Sequence, residues 1–207
     1  MPATNVRPPA SLGGIVIDEV SESKFLGVFL DKRLTWYKHV SYLRLKIPRG
    51  IEIISRVHSI LPSRVLLMLC NTLIYPYLVH CNFVWGAADK STLNKLVVLK
   101  KRKVRLCSGS SYRAASSPLF FCLNLLKLVN INNYQTAIFM YKVKYGLLPQ
   151  SALNYTAVND TNRIHFTRTL NNFTIFSFLT GICSKSTAVH GPRLWNFDTE
   201  FNRFWFV

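Results

Sequence analysis

The sequence predicts a mainly α-helical protein: a short N-terminal β-hairpin, then a helical bundle, then a poorly regular C-terminal tail. Three observations carry this reading. Two apolar runs open the chain, the first β-branched and bounded by turn formers, the second unbroken. From Trp36 the apolar residues recur at three- and four-residue intervals instead. After Gln150 that period fades while Asn, Thr and Phe rise. With 207 residues, 49% of them apolar, the chain is long enough to bury a real core and does not have the composition of a disordered segment.

Taken in order, residues 1–12 hold Pro and Ala and read as a loose start. Gly13 to Val20 (GGIVIDEV) reads as a strand, and Ser21-Glu22-Ser23 can turn the chain. Phe25 to Leu30 (FLGVFL) is an unbroken apolar run. It reads as a second, mostly buried strand antiparallel to the first, with Gly27 open to close approach by another backbone. Val40, Leu43, Ile47, Ile51, Ile54, Val57 and Ile60 make one helical stripe, which Pro48-Arg49-Gly50 should kink or split. Leu61-Pro62-Ser63 interrupts again. Pro62 suits the first turn of a helix running through VLLMLCNTLIYPYLVHC, with Pro76 as a kink. Ser91 caps a helix from Thr92 to about Cys107. Ser116-Ser117-Pro118 restarts the chain into a short helix, Leu119 to Leu128, and another spans Ile131 to Tyr145, ended by Gly146 and Pro149. The expected organisation is therefore a loose segment 1–12, a hairpin 13–35, a helical domain 36–150 and a tail 151–207.

Charge is the strongest global signal. There are 26 Lys and Arg against 9 Asp and Glu, a net charge of +17. Between Ile53 and Phe197 the only acids are Asp89 and Asp160, so the middle of the chain has a nearly uncompensated positive field. Such a field needs a polyanion, and nucleic acid is the favoured one. The five Cys (Cys70, Cys81, Cys107, Cys122, Cys183) are odd in number and mostly in apolar surroundings, as reduced core thiols are. No apolar h-region follows Met1, so no signal peptide is expected and the chain is placed in the nucleus or cytoplasm. Val65 to Ala88 is uncharged, but Asn71, Thr72, Pro76, His80 and Asn82 interrupt it and favour a buried helix over a membrane span.

The leading contact candidates are Lys100, Lys101, Arg102 and Lys103, followed by Arg105 and Arg113. Clustered cations neutralise phosphates and release counterions, giving affinity without reading sequence. The ordinary alternative is a solvated helix face, and the pattern is also shared by nuclear import signals. On helical spacing Lys103 falls among Leu96, Leu99, Leu106 and Cys107, where it must snorkel out or weaken the packing. A second basic set, Lys32, Arg33, Lys38, Arg44, Lys46 and Arg49, surrounds Trp36, Tyr37 and Tyr42, a mixture suited to stacking on unpaired bases. Trp36 fits a core plug better than a stacking platform. No Cys-x-x-Cys, zinc-finger spacing or Gly-x-Ser-x-Gly is present.

Five stretches then fall in a telling order: KFLGVFLDKRLTWYKHV, LPSRVLLMLCNTLIYPYLVHCNFVWG, LVVLKKRKVRLCSG, SPLFFCLNLLKLVNINNYQTAIFMYK and GPRLWN. Together, over roughly residues 13 to 196, they resemble the C-terminal half of reverse transcriptases from non-LTR (LINE-type, jockey-like) retrotransposons. The resemblance implies that the hairpin is the last ribbon of a polymerase palm. It makes 36–150 a thumb-like domain and the tail, with Thr167-Arg168, the end of the reading frame. The family holds Mg2+ on an Asp-Asp motif and an earlier Asp, upstream of the FLGV strand. This chain has no Asp-Asp pair, and Asp31, which matches a family position, reads as a strand-end or turn residue. Pro48 and Gly50, Lys103, and Phe197-Asp198 also depart from the family pattern. The expectation is thus a truncated, catalytically incomplete polymerase fragment. It would have no cofactor and no small-molecule substrate, would not act as an enzyme as it stands, and would at most bind RNA, DNA or an RNA–DNA hybrid electrostatically. The rival readings are a non-enzymatic basic nucleic-acid-binding or scaffold protein, and a membrane-associated basic protein.

Overall fold

The computed structural model describes residues 11–150, 173–175 and 186–197. Nearly all of the loose start, and most of the tail with Thr167-Arg168 and Cys183, lie outside the described residues. The chain opens with two small antiparallel hairpins, not one. Strand β1 (Ser11–Leu12) pairs with β2 (Ile15–Val16), and β3 (Glu22–Phe25) pairs with β4 (Val28–Asp31). The second hairpin turns inside the apolar run itself. Phe25 faces Val28, and Leu26 and Gly27 form the two-residue loop with φ of 45° and 84°. That is the doubly left-handed turn whose twist matches paired strands. The expectation of one continuous buried strand from Phe25 to Leu30 is therefore corrected. Val28 is buried, but Phe25 and Leu26 are exposed.

Asp31 ends the hairpin and organises the turn into the first helix. Its carboxylate accepts from the Thr35 N–H and hydroxyl and from the Trp36 N–H, each at 2.9 Å. Burial alone would raise its pKa, but the hydrogen bonds from Thr35 and Trp36 outweigh it and hold the carboxyl below its ordinary value. Its reading as a turn residue holds. Two histidines fasten the hairpin to the helices. His39 Nδ1 accepts from the Phe29 N–H, and His80 Nε2 donates to the Leu26 carbonyl at 2.9 Å.

Helix α1 (Tyr37–Val57) buries Val40, Leu43, Ile47, Ile51 and Ile54 of the expected stripe; Val57 is half-buried, and Ile60, also expected on it, lies beyond the helix and is exposed. It runs through Pro48 without being split. Packing explains this: Gly50 lets α1 approach Ile74 and Leu73 closely, so burial of the stripe outweighs the hydrogen bond that Pro48 cannot donate. The next expected helix is instead two, α2 (Ser63–Leu73) and α3 (Tyr75–Val79), and a further short helix, α4 (Asn82–Trp85), follows it. Pro76 stands in the first turn of α3 instead of kinking a longer helix, since no backbone donor is needed there. Among the described residues no helix is long and apolar enough to cross a membrane.

Three helices complete the bundle: α5 (Lys90–Cys107), α6 (Ser116–Cys122) and α7 (Leu128–Lys144). The α1 stripe packs with Leu66, Cys70, Ile74, Leu78, Trp85, Leu96, Cys107 and Ile131 into the main core. Each such aliphatic side chain contributes about 1.5–3 kcal/mol by leaving water. Helix α8 (Thr187–Phe197) lies on α7 and closes a second core of Met140, Val143, Phe173 and Trp195. Here the GPRLWN stretch shows its structural use. Gly191 admits the Met140 side chain where any Cβ would collide with it, and Trp195 meets Phe173 edge-on at 5.9 Å. Asn196 brackets the Phe173 backbone with two hydrogen bonds of 3.0 and 2.7 Å.

Candidate nucleic-acid interface

The run Leu99–Arg105 sits in the second half of α5, and helical geometry divides its cations. Positions 96, 100, 103 and 107 recur at four, three and four residues and form one face. Leu96, Lys100, Lys103 and Cys107 are accordingly all buried, with Lys100 6% and Lys103 2% exposed. Lys101 and Arg102, like Asn94 and Val98, lie off that face and are exposed to solvent, with Lys101 next to Lys100 around the helix. The four consecutive cations are thus not one patch. Two face outward, as a phosphate-tracking surface requires, and two face inward.

The two buried lysines have different surroundings. Lys103 adjoins the thiols of Cys70 and Cys107, whose sulfurs are 2.9 Å apart. Burial lowers the Lys103 pKa, and the two thiols pull it partly back. The hydrogen bond from Cys70, helped by the Lys103 charge against the effect of burial, holds the Cys107 thiol below its ordinary value. Lys103 therefore does not snorkel out; it is accommodated beside a pair of polarizable sulfurs. Lys100 lies over the Phe120 ring at 5.8 Å, and burial together with the Lys103 charge pushes its pKa down to about 7.

The remaining candidates are partly committed. Arg105 donates to the Ala114 carbonyl at 2.8 Å and lies over Tyr112, so it braces the loop that leads to α6. Arg113 is exposed on that loop. In the second basic set, Lys32 pairs with Glu19, and Lys38 pairs with Glu22 at 2.8 Å. Arg33 is exposed beside them. Exposed ion pairs of this kind contribute roughly 0–1 kcal/mol and hold neither lysine back from a competing phosphate. Trp36 packs against the main core, as expected, whereas Tyr37 is exposed under the Lys95 ammonium at 4.7 Å. Sequence reading missed Lys95, since its partner stands 58 residues earlier.

Among the described residues no three His, Cys, Asp or Glu side chains gather as a metal site, and Asp31 is occupied by Thr35 and Trp36. The described residues do not fit the Mg2+ site that the resemblance implies for the family.

The chain is similar to curated fruit-fly proteins of one kind. It is 30% identical over 126 residues to the "Probable RNA-directed DNA polymerase from transposon BS" of Drosophila melanogaster, covering 58% of this chain and 14% of that protein. It is 28% identical over 124 residues to the "Probable RNA-directed DNA polymerase from transposon X-element" of the same species, covering 57% and 13%. It is 32% identical over 118 residues to the "RNA-directed DNA polymerase from mobile element jockey", again from Drosophila melanogaster, covering 53% and 12%. No protein-family model matches the chain, and no solved structure matches it. The matches run against the expectation that the chain would not act as an enzyme as it stands, because all three relatives are named as polymerases, an enzyme family. While the chain spans only 12–14% of the length of these relatives, over more than half of its own residues it is similar to the RNA-directed DNA polymerases of non-LTR retrotransposons.

Proposed function

We propose that the chain acts as part of an RNA-directed DNA polymerase, and that its helical region holds nucleic acid by the phosphate backbone. The observation that carries this is the similarity to three transposon polymerases over more than half of the chain. The charge distribution supports it, since α2 to α8 contain no acidic residue. In this reading residues 13–35 are the last ribbon of the palm and 36–150 the thumb. Lys101, Arg102, Arg113 and Arg33 contact phosphates, and Lys32 and Lys38 exchange Glu19 and Glu22 for them. The ligand is RNA, DNA or their hybrid, gripped without base reading.

The test is binding of the chain to a short RNA–DNA hybrid at several salt concentrations. Each phosphate neutralised adds about 0.9 to the slope of log affinity against log salt. Lys101→Ala with Arg102→Ala should therefore flatten the slope by about 1–2 and weaken binding equally for unrelated sequences. Affinity that ignores salt, or that the double variant leaves unchanged, would sink the reading.

A further inference from the structure

Between α5, α6 and the start of α7 lies a cleft of about 250 Å³. Lys100 and Lys101 line it from α5, Ser116, Ser117 and Phe120 from α6, and Lys127 from the residue that precedes α7. Aliphatic side chains of α5 and α7 complete the wall, and none of the lining residues is acidic. Three lysines, one buried and two exposed, thus line one small volume without a carboxylate.

Lys100 makes this more than a basic surface. It is 6% exposed yet lines the cleft. A buried ammonium is strongly disfavoured unless an anion or a set of acceptors answers it. The fold answers the other buried lysine, Lys103, with two thiols; to Lys100 it offers the ring of Phe120. Burial accordingly disfavours the charged form of Lys100, which an incoming anion would restore. At the rim Lys127 Nζ reaches the Ser117 hydroxyl at 3.5 Å, so an ammonium and a hydroxyl already point to one place.

The shape and chemistry narrow the anion. Ammonium groups are compact point charges suited to phosphate oxygens, and hydroxyls complete such a shell. Three cations suit the dianion of a terminal phosphate better than the single charge of a backbone diester. The apolar wall suits the sugar or base attached to it. We propose that this cleft binds a terminal phosphate monoester of a nucleotide, seated on Lys100, Lys101 and Lys127 with the Ser116 and Ser117 hydroxyls. The inference shares Lys101 with the backbone-tracking surface, but it is carried by Lys100 and Lys127, which that surface does not use, and so survives its failure.

The test uses the full 207-residue chain. Binding of one DNA decamer is measured with a 5′-phosphate and with a 5′-hydroxyl, and adenosine monophosphate is titrated separately. The phosphorylated strand should bind about tenfold tighter, the range expected for charge-assisted hydrogen bonds to one anion. Lys100→Met should abolish that preference while leaving the hydroxyl strand within about twofold, since Lys100 is not among the diester contacts. Lys127→Ala, at an exposed position that spares the fold, should reduce the preference too. Competition by adenosine monophosphate at a comparable concentration assigns the cleft to free nucleotides; a preference it does not displace assigns it to strand ends. If neither decamer binds but adenosine monophosphate does, the backbone reading fails and the cleft stands. Equal affinity for both decamers with no binding of the monophosphate overturns the inference. So does a preference that both variants leave intact.

Discussion

His39 shows how one buried side chain sets a pH dependence. It is 2% exposed, with its ring between Trp85 and Tyr42, and Nε2 has no hydrogen-bond partner. Burial, with the His80 charge adding to it, pushes its pKa from 6.5 down to about 4. Between those values the unfolded chain takes up the proton and the folded chain does not. The stability from a neutral His39 is therefore complete above pH 6.5 and is lost as pH falls toward 4, by about 3 kcal/mol at most. His39→Phe should flatten the fall in melting temperature between pH 7 and 4.5; an unchanged fall would refute this role. Lys103 offers a second check. Replacing it by Met keeps the volume and removes a charge that burial disfavours, so Lys103→Met should stabilise the fold by about 1–3 kcal/mol in urea titrations. A lower midpoint would mean that its thiol neighbours compensate the charge in full. Spacing alone placed Lys103 on an apolar face. It did not mark Lys100, because four consecutive cations read as one solvated patch until the packing of α6 on α5 is known.

Among elements, the second hairpin carries an avoidable strain. Leu26 adopts φ 45° in a loop position that favours Asn or Gly, and its side chain is 75% exposed, so little burial offsets the strain. Leu26→Asn should stabilise the protein by about 1 kcal/mol, read as a raised denaturation midpoint. No gain would show that the Leu26 side chain has a partner of its own. Sequence reading missed this turn because FLGV contains one turn residue where the pattern calls for two. It misplaced the helix breaks for a related reason. Pro48 and Pro76 look alike in a string, but the first sits in a helix held by its buried stripe and the second opens a new helix, and only tertiary contacts distinguish them. The stripe from Val40 to Ile54 was fully legible, since a long period with aliphatic residues has one structural meaning.

At the scale of the molecule, two surface properties oppose each other. A net charge of +17 keeps copies apart, while Ile15, Val16, Phe25 and Leu26 of the hairpins are 61–75% exposed. Salt screens the first and leaves the second. The purified chain should therefore associate increasingly as ionic strength rises, and Ile15→Lys with Val16→Lys should reverse this in light scattering. A single monomeric species at low and high salt would contradict it. The architecture was readable because five stretches kept their order and spacing. The roles of Gly191, Trp195 and Asn196 were not, since they act on Met140 and Phe173, and no periodicity connects those positions.

Helix α7 meets two glycines. At Gly86 a side chain would collide with Asn132, whose amide is held by the Asn82 carbonyl and side chain at 3.0 and 3.1 Å; at Gly191 it would collide with Met140. The two notches sit eight positions apart on α7 and act as keyways on a shaft. A slip of α7 by one turn would take both side chains out of their notches at once, so the two glycines pin the register of this helix at two points.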